Sequence, residues 1–383
     1  MWRNLASNAL TLFIALLLLA GGMVIWGKGE FTNPGPLEQA ICLRVESGSN
    51  MRRVSNELAD QGAISSPGIF RAGADYTDKA SQLKAGSYLV EPGASMESII
   101  DTITRSGRST CGTEVNFRIG VLSAKLQVRE LDPATNRYVE VVAFEPGVEE
   151  VPAEYTAVTS ESDTRYRVTL AEGVTSWQVV EELKEAEFLT GSVEVPAEGA
   201  LAPDSYEVVR GSERAALIAR MEESQAALLA ELWQARDEDL PLASPEEAMV
   251  LASIVEKETG VPEERRQVAS VFVNRLRQGI RLQTDPTVIY GITNGQGALG
   301  RGIRQSELRR ATPYNTYVIE GLPPTPIANP GRASIEAALH PDTTDYIFFV
   351  ADGTGGHAFA VTLEEHNRNV AEWRKIEAER ANQ

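Results

Sequence analysis

Hydrophobic positions are most densely packed near the start of the chain, where residues 10–27 (LTLFIALLLLAGGMVIWG) contain no charged side chain. A helix of that length reaches about 27 Å at about 1.5 Å per residue, enough for the hydrocarbon layer of a bilayer. Arg3 lies before the run. The positive-inside rule therefore keeps residues 1–9 in the cytoplasm and exports whatever follows Lys28. A cleaved signal peptide is the competing reading, but the run is long for one, and no cysteine stands at 20–22 to take a lipid. The expected form is an uncleaved transmembrane helix at 10–27 followed by a linker at 28–41.

A second pattern recurs three times. VESGSNMRRV begins at Val45, VEPGASMESI at Val90 and LAEGVTSWQV at Leu170. Each has an apolar strand end, a glycine three residues on, a Ser, Thr or Asn, and then apolar positions at helical spacing. The physical unit is a strand, a tight turn that uses glycine, and a capped helix. Such units are similar to small LysM-like glycan-binding modules, expected here at 42–110 and again at 166–200; generic strand–helix structure satisfies the same pattern. Between them, VNFRIGVLSAKLQVREL and RYVEVVAF alternate apolar and polar residues, which is strand periodicity. Residues 111–165 read as a β-rich insert, with FEPGVEEVPAEY as a loop or edge. LIARMEESQAALLAELWQARD, residues 217–237, is an amphipathic helix.

The segment SPEEAMVLASIVEKETG, residues 244–260, combines a helix pattern with candidate chemistry. Ser244 is an N-cap, Pro245 fits the first helical position, and glutamate completes a capping box. Gly260 is the expected stop. At about 100° per residue from Ala248, the apolar Val250, Leu251, Ile254 and Val255 fall between about 200° and 340°. Glu258 falls near 280°, in the middle of that stripe, whereas Glu256 falls near 80° and Lys257 near 180°. Glu256 is thus expected on the wetter side, and Glu258 where valine and isoleucine go. A carboxyl in apolar surroundings resists ionisation, which is what a general acid for glycosidic cleavage requires. A frayed last turn, with Glu258 bonded to a backbone amide, is the bland alternative.

Composition narrows the picture. The chain has 383 residues, 43% hydrophobic and 23% charged, so it is folded protein with room for two or three domains. A formal charge of -18 argues against nucleic acid as a partner. Residues 265–310 run against that trend, with nine arginines and only Asp285 and Glu307 as acids. They form either solvated helix faces or a groove for a carboxylate-bearing polymer. The two cysteines, Cys42 and Cys111, bracket one segment and can pair outside the cytoplasm. Three histidines, without HExxH or CxxC, make a metal improbable, and no cofactor is expected.

Four stretches then become specific: LASIVEKETG, RRQVASVFVNRLRQGIRLQTDPTVIYGI, ATPYNTYVIEGLPPTPIANPGRASIEAALHP and YIFFVADGTGGHAFAVTLEEHN. Together they resemble the YceG-like family of endolytic murein transglycosylases over roughly residues 244–370. The resemblance implies an α+β protein: an N-terminal transmembrane helix, LysM-like βα modules with a β insert, and a mixed α/β catalytic domain at 201–378. It implies that Glu258, the second glutamate of the EKET run, is catalytic. Gln283, Thr284, Asp285, Tyr314, Asn315 and Tyr317 are the candidate substrate-binding residues. Each also has a structural reading: Asp285 before proline as a helix N-cap, and the TPYNTY residues as turn or core. His357 and His366 are candidates for orienting loops near the cleft. The sequence departs from the family pattern at Thr325, where glycine is frequent, in LAPDSYEV (201–208), which lacks the usual aromatics, and in the β insert.

The implied reaction is lytic cleavage of peptidoglycan strands between N-acetylmuramic acid and N-acetylglucosamine, giving 1,6-anhydromuramyl ends. It would occur on the outer, periplasmic side of the cytoplasmic membrane, close to peptidoglycan synthases as partners. A non-catalytic LysM-like tether and a hydrolytic muramidase using Glu258 with Asp285 are the competing functions.

Overall fold

The computed structural model describes residues 2–161 and 163–381. Helix α1 (Trp2–Thr32) contains a stretch, Leu10–Thr32, of mean hydropathy 2.3 with none of its apolar window buried. It is long and apolar enough to cross a membrane. The helix does not stop at Gly27, because one glycine costs a helix only about 1 kcal/mol. The first residues of the expected linker, through Thr32, are therefore helical.

The chain divides into two units. The first comprises Met1–Val115, Gln127–Ala143 and Val151–Arg165. Here β1 (Ile41–Val45), α2 (Met51–Asp60), α3 (Pro67–Tyr76), β2 (Gly86–Val90) and α4 (Met96–Arg105) follow in order. Strands β1 and β2 pair antiparallel with Ile41 opposite Val90 and Val45 opposite Gly86. Leu43, Leu58, Phe70, Tyr88, Ile99 and Ile103 fill the core beneath them. Phe31, near the end of α1, belongs to the same core. Its ring lies so close to Gly73 that a Cβ there would sit 2.1 Å from Cε2. Cys42 and Cys111 form a disulfide across 69 positions of sequence.

Next come β3 (Thr113–Ile119), β4 (Ala124–Asp132), β5 (Arg137–Phe144), α5 (Ala153–Thr159), β6 (Arg165–Leu170), α6 (Ser176–Leu183) and β7 (Ser205–Val208). One five-stranded sheet has the order β5-β4-β3-β6-β7. The alternating segments thus form strands as expected. The acidic stretch read as loop or edge does contain a helix, α5, which buries Tyr155 behind an N-cap proline. All three repeats fold as strand, turn and capped helix. Gly48, Gly93 and Gly173 have φ of 81°, 69° and 78°, a region that L side chains avoid. Asn50, Ser95 and Thr175 each accept a hydrogen bond from the backbone N–H three residues on.

The second unit comprises Asn116–Leu126, Phe144–Glu150 and Tyr166–Gln383. After β7 it is mostly helical: α7 (Arg214–Gln234), α8 (Pro245–Glu258), a 3-10 turn at Pro262–Glu264, α9 (Arg265–Gln278), α10 (Asp285–Thr293), α11 (Gln305–Leu308) and α12 (Arg332–Leu339). The hairpin β8 (Phe348–Ala351) and β9 (His357–Ala360) then precedes α13 (Leu363–Ala381). Ser244 caps α8 by accepting from Glu247 N–H at 3.4 Å, while the Glu247 carboxylate accepts from Ala243 N–H rather than from the cap residue. The helix ends at Glu258 because Thr259 is extended (φ -137°, ψ 132°), so the left-handed freedom of Gly260 is not used.

Helix α8 is central. Every residue from Ala248 to Val255 is buried, among α7, α9 and α12. Its small residues Ala248, Ala252 and Ser253 admit neighbours on the sides a helical wheel assigns to solvent. The expectation that Glu256 faces water is therefore corrected: it is partly buried, and its Oε2 accepts from Gly331 N–H at 3.1 Å.

Candidate active site

Glu258 closes the last turn of the buried helix, where the backbone turns extended and the carboxyl emerges from the core. It is only partly exposed. Burial is the largest influence on its pKa and raises it, and the negative charge of Asp285 pushes the same way. Three groups oppose them: the hydrogen bond from Thr284, and the charges of His357 and Arg275. The Thr284 Oγ1–H donates to Glu258 Oε1.

The QTDP stretch just ahead of α10 supplies the facing side. Gln283 has φ of 50°, left-handed for a non-glycine residue, and its N–H donates to Thr316 O at 3.1 Å. That kink turns the Gln283 side chain out to solvent and Thr284 inward. Thr284 N–H donates to Thr316 Oγ1 at 3.0 Å, which locks the segment onto the TPYNTY loop. Asp285 is the first residue of α10, not its N-cap, and is exposed. Tyr317 Oη–H donates to Asp285 Oδ1 at 2.7 Å, and burial followed by Asp285 raises the phenol's pKa. Glu258, Thr284, Asp285 and Tyr317 therefore form one connected cluster.

Asn315 and Tyr314 lie elsewhere. Asn315 is 1% exposed, and its Nδ2 donates to the carbonyls of Glu307, Leu308 and Arg310 at 3.0, 3.1 and 2.7 Å. Its Oδ1 accepts from Tyr317 N–H at 3.0 Å. The amide shapes the loop that carries Tyr317. Tyr314 packs on the core with its ring centre 5.0 Å from that of Tyr290, and its hydroxyl meets Thr325 Oγ1 at 2.7 Å. Gly291 makes that packing possible, since a Cβ there would approach Tyr314 Cβ to 2.8 Å. Thr325 thus has a hydroxyl partner.

Arg275 was not singled out by sequence. It is 8% exposed, and its guanidinium donates to the carbonyls of Ile347, Arg281 and Leu282 at 2.6, 3.2 and 2.8 Å. Burial lowers its pKa, and Tyr317 and Glu258 counter that. A signal did exist: Val268, Phe272 and Arg275 are spaced four and three apart, on one stripe of α9. Other arginines of 265–310 are also bound internally, Arg266 to Asp342, Arg301 to Glu307 and Arg277 to Asp239 O. His357 Nδ1 lies 2.7 Å from Glu264 Oε2, and its N–H donates to Glu264 Oε1 at 2.9 Å. That pair joins residues 93 positions apart and left no trace in local sequence. His366 stacks on Phe348 with ring centres 5.0 Å apart, and burial, then Arg275, lowers its pKa.

A second buried acid, Glu198, was also missed. It accepts from Ser176 N–H at 2.8 Å and from Tyr290 Oη–H at 3.1 Å, and burial raises its pKa. Among the described residues no group of three or more His, Cys, Asp or Glu is arranged to hold a metal ion.

A partly buried carboxyl at a helix end, bonded to Thr284 and with its ionised form disfavoured by burial, is chemically able to exchange a proton with a bound polar group. The sequence profile of the YceG-like family matches residues 43–136 and 147–372, and the chain belongs to that family. Its relatives include the endolytic murein transglycosylase of Bacillus subtilis (strain 168), 28% identical over 92% of this chain and 90% of the relative. That of Streptococcus pneumoniae serotype 2 is 27% identical over 87% of this chain and 58% of the relative. A YceG-like protein of Listeria monocytogenes has a solved structure with TM-score 0.47 and 24% identity, covering 86% of this chain and 98% of that one.

Proposed function

We propose that the protein is a lytic transglycosylase that cuts peptidoglycan strands internally, with Glu258 as its acid and base. The observation that carries this reading is the carboxyl of Glu258 at the end of a buried helix, bonded to Thr284 and beside Asp285 and Tyr317, with its ionised form disfavoured by burial. Protonated, Glu258 delivers its proton to the glycosidic oxygen between N-acetylmuramic acid and N-acetylglucosamine. The C1–O bond breaks, and Glu258, now a carboxylate, takes the proton of the muramyl C6 hydroxyl as that oxygen attacks C1. The product is a 1,6-anhydromuramyl end, and no water is consumed. Hydrolytic glycosidases usually need a second carboxylate to place a nucleophile or a water. Here the nucleophile is part of the same sugar, and intramolecular attack carries a large effective concentration.

Thr284 sets the balance: its hydroxyl steadies the carboxylate formed after proton transfer, so the acid is neither too weak nor too readily ionised. Arg275 and His357 act in the same direction. Gln283, Asp285 and Tyr317 line the approach as candidate sugar contacts. Helix α1 anchors the protein in the cytoplasmic membrane as a single span, with residues beyond it on the periplasmic side. The segments at 42–110 and 166–200 are LysM-like strand–helix modules that hold the strand. Tethering of this kind suits nascent strands, cut as synthases extend them. Hydrolysis by Glu258 with Asp285 is a second reading, favoured by the charge of Asp285 acting on Glu258.

The test is digestion of purified sacculi by the wild-type chain and by Glu258→Gln and Glu256→Gln. Cleavage should vanish in Glu258→Gln with folding intact and persist in Glu256→Gln. Undiminished cleavage by Glu258→Gln would remove the assignment.

A further inference from the structure

Lys257 and Pro286, the chain neighbours of Glu258 and Asp285, line a cavity of about 280 Å³. Its size is close to the lower end of the range for small-ligand sites, about 300–1,000 Å³. The walls are chiefly apolar, from Val121, Leu122, Ile289, Leu299 and the ring of Tyr290. The hydroxyls of Thr175, Tyr290 and Thr293 are bonded to Gly295 O, Glu198 and Ile289 O, and the Gln178 carboxamide to Thr175 and Val121 O, which leaves Lys257 as the polar group with donors to spare. Leu122 is 91% exposed at this rim, a large apolar side chain with no cover of its own.

Lys257 is partly buried and makes one hydrogen bond, to Gly173 O at 3.1 Å, of the three an ammonium can make. Burial lowers its pKa, while the charges of Glu256 and Glu198 support the ammonium form. A sugar ring would ask for free hydroxyl partners, and the hydroxyls at this wall are bonded within the chain. Apolar walls with one cation suit a short peptide of alternating methyl groups and carboxylates better.

Resting on the proposed reaction, we infer that this cavity seats the peptide stem of the muramyl residue under attack, with Lys257 as counter-ion to a stem carboxylate. The connectivity of the substrate requires such a neighbour. The stem hangs from the same sugar whose C1–O bond breaks, so it must lie beside the acid. Lys257 precedes Glu258 in α8 and Pro286 follows Asp285 in α10, so the cavity wall and the acid belong to the same two segments.

The experiment compares full-length protein on stem-bearing strands and on strands stripped of stems by an amidase. Wild-type protein should prefer stem-bearing strands in kcat/KM. Lys257→Met should cut that preference by about tenfold, the lower end of the worth of one charged hydrogen bond. Leu122→Glu, which sets a carboxylate against that of the stem, should reduce it as well, and it acts at an exposed position where folding is not at stake. Lys257→Arg should restore most of it. An equal loss on both substrates, or no preference in the wild type, overturns the inference while leaving the cleavage reading intact. Calorimetric titration with an alanyl-isoglutamyl peptide gives a readout independent of cleavage. Saturable binding lost in Lys257→Met supports the site, and no binding to wild type counts against it. Cleavage that survives Glu258→Gln would overturn the reaction, and the peptide titration would still decide the cavity.

Discussion

Replacing Thr284 with valine isolates the contact that tunes the acid. The side chain keeps its shape and loses only the hydroxyl that donates to Glu258 Oε1, while its backbone bond to Thr316 Oγ1 remains. A hydrogen bond to a charged group is worth about 1.5–3 kcal/mol. One pH unit corresponds to about 1.4 kcal/mol, so full loss would move the titration of Glu258 upward by about one to two pH units. The hydroxyl also helps the protonated acid somewhat, which puts the expected change near the lower end of that range. The direction follows from the role: Glu258 must be protonated to act, so activity falls as pH rises through its pKa. In Thr284→Val that fall should come about one pH unit later, seen as a displaced alkaline limb of kcat/KM for release of soluble fragments from sacculi. Thr284→Ser should leave the limb in place. A limb that stays fixed in Thr284→Val, or moves to lower pH, would refute the tuning argument.

Glu258 also bears on stability. Its pKa is raised in the folded state, so the native protein bears no cost from it below the ordinary carboxyl range and an increasing cost as pH rises through the folded value. Denaturation of Glu258→Gln should therefore show a gain over wild type that grows from acidic to neutral pH; a constant difference would contradict this. The Cys42–Cys111 disulfide closes a loop spanning 69 positions, which loop-closure entropy values at about 4 kcal/mol. Urea unfolding of the double serine variant should show a loss of that order in the first unit, and a loss below about 1 kcal/mol would point to a denatured state already compact.

Local pattern carried much of this far. The three strand–glycine–cap repeats, the alternating strands and the capped start of α8 are each set by near neighbours, and they fold as their periodicities require. The wheel placed Glu258 against apolar neighbours, and its pKa is raised by burial. It misjudged Glu256 because α8 is enclosed on all sides, and a wheel distinguishes faces only where one face meets water. Contacts distant in sequence were out of reach: Glu264 with His357, Glu198 with Tyr290, and Asn315 turned inward to its own loop. Asp285 before Pro286 looked like an N-cap, but the left-handed turn at Gln283 shifts the helix start by one residue. Arg275 was legible and overlooked. Its spacing from Val268 and Phe272 announces a buried guanidinium, and its bonds to three carbonyls explain why it is tolerated.

The most direct measurement of the central claim is digestion of peptidoglycan in water enriched in heavy oxygen, followed by mass spectrometry of the new muramyl ends. If Glu258 works alone and the sugar's own C6 hydroxyl is the nucleophile, those ends carry no label and are lighter by one water than reducing ends. Heavy oxygen at C1 of the muramyl ends would contradict the account and assign the attack to water.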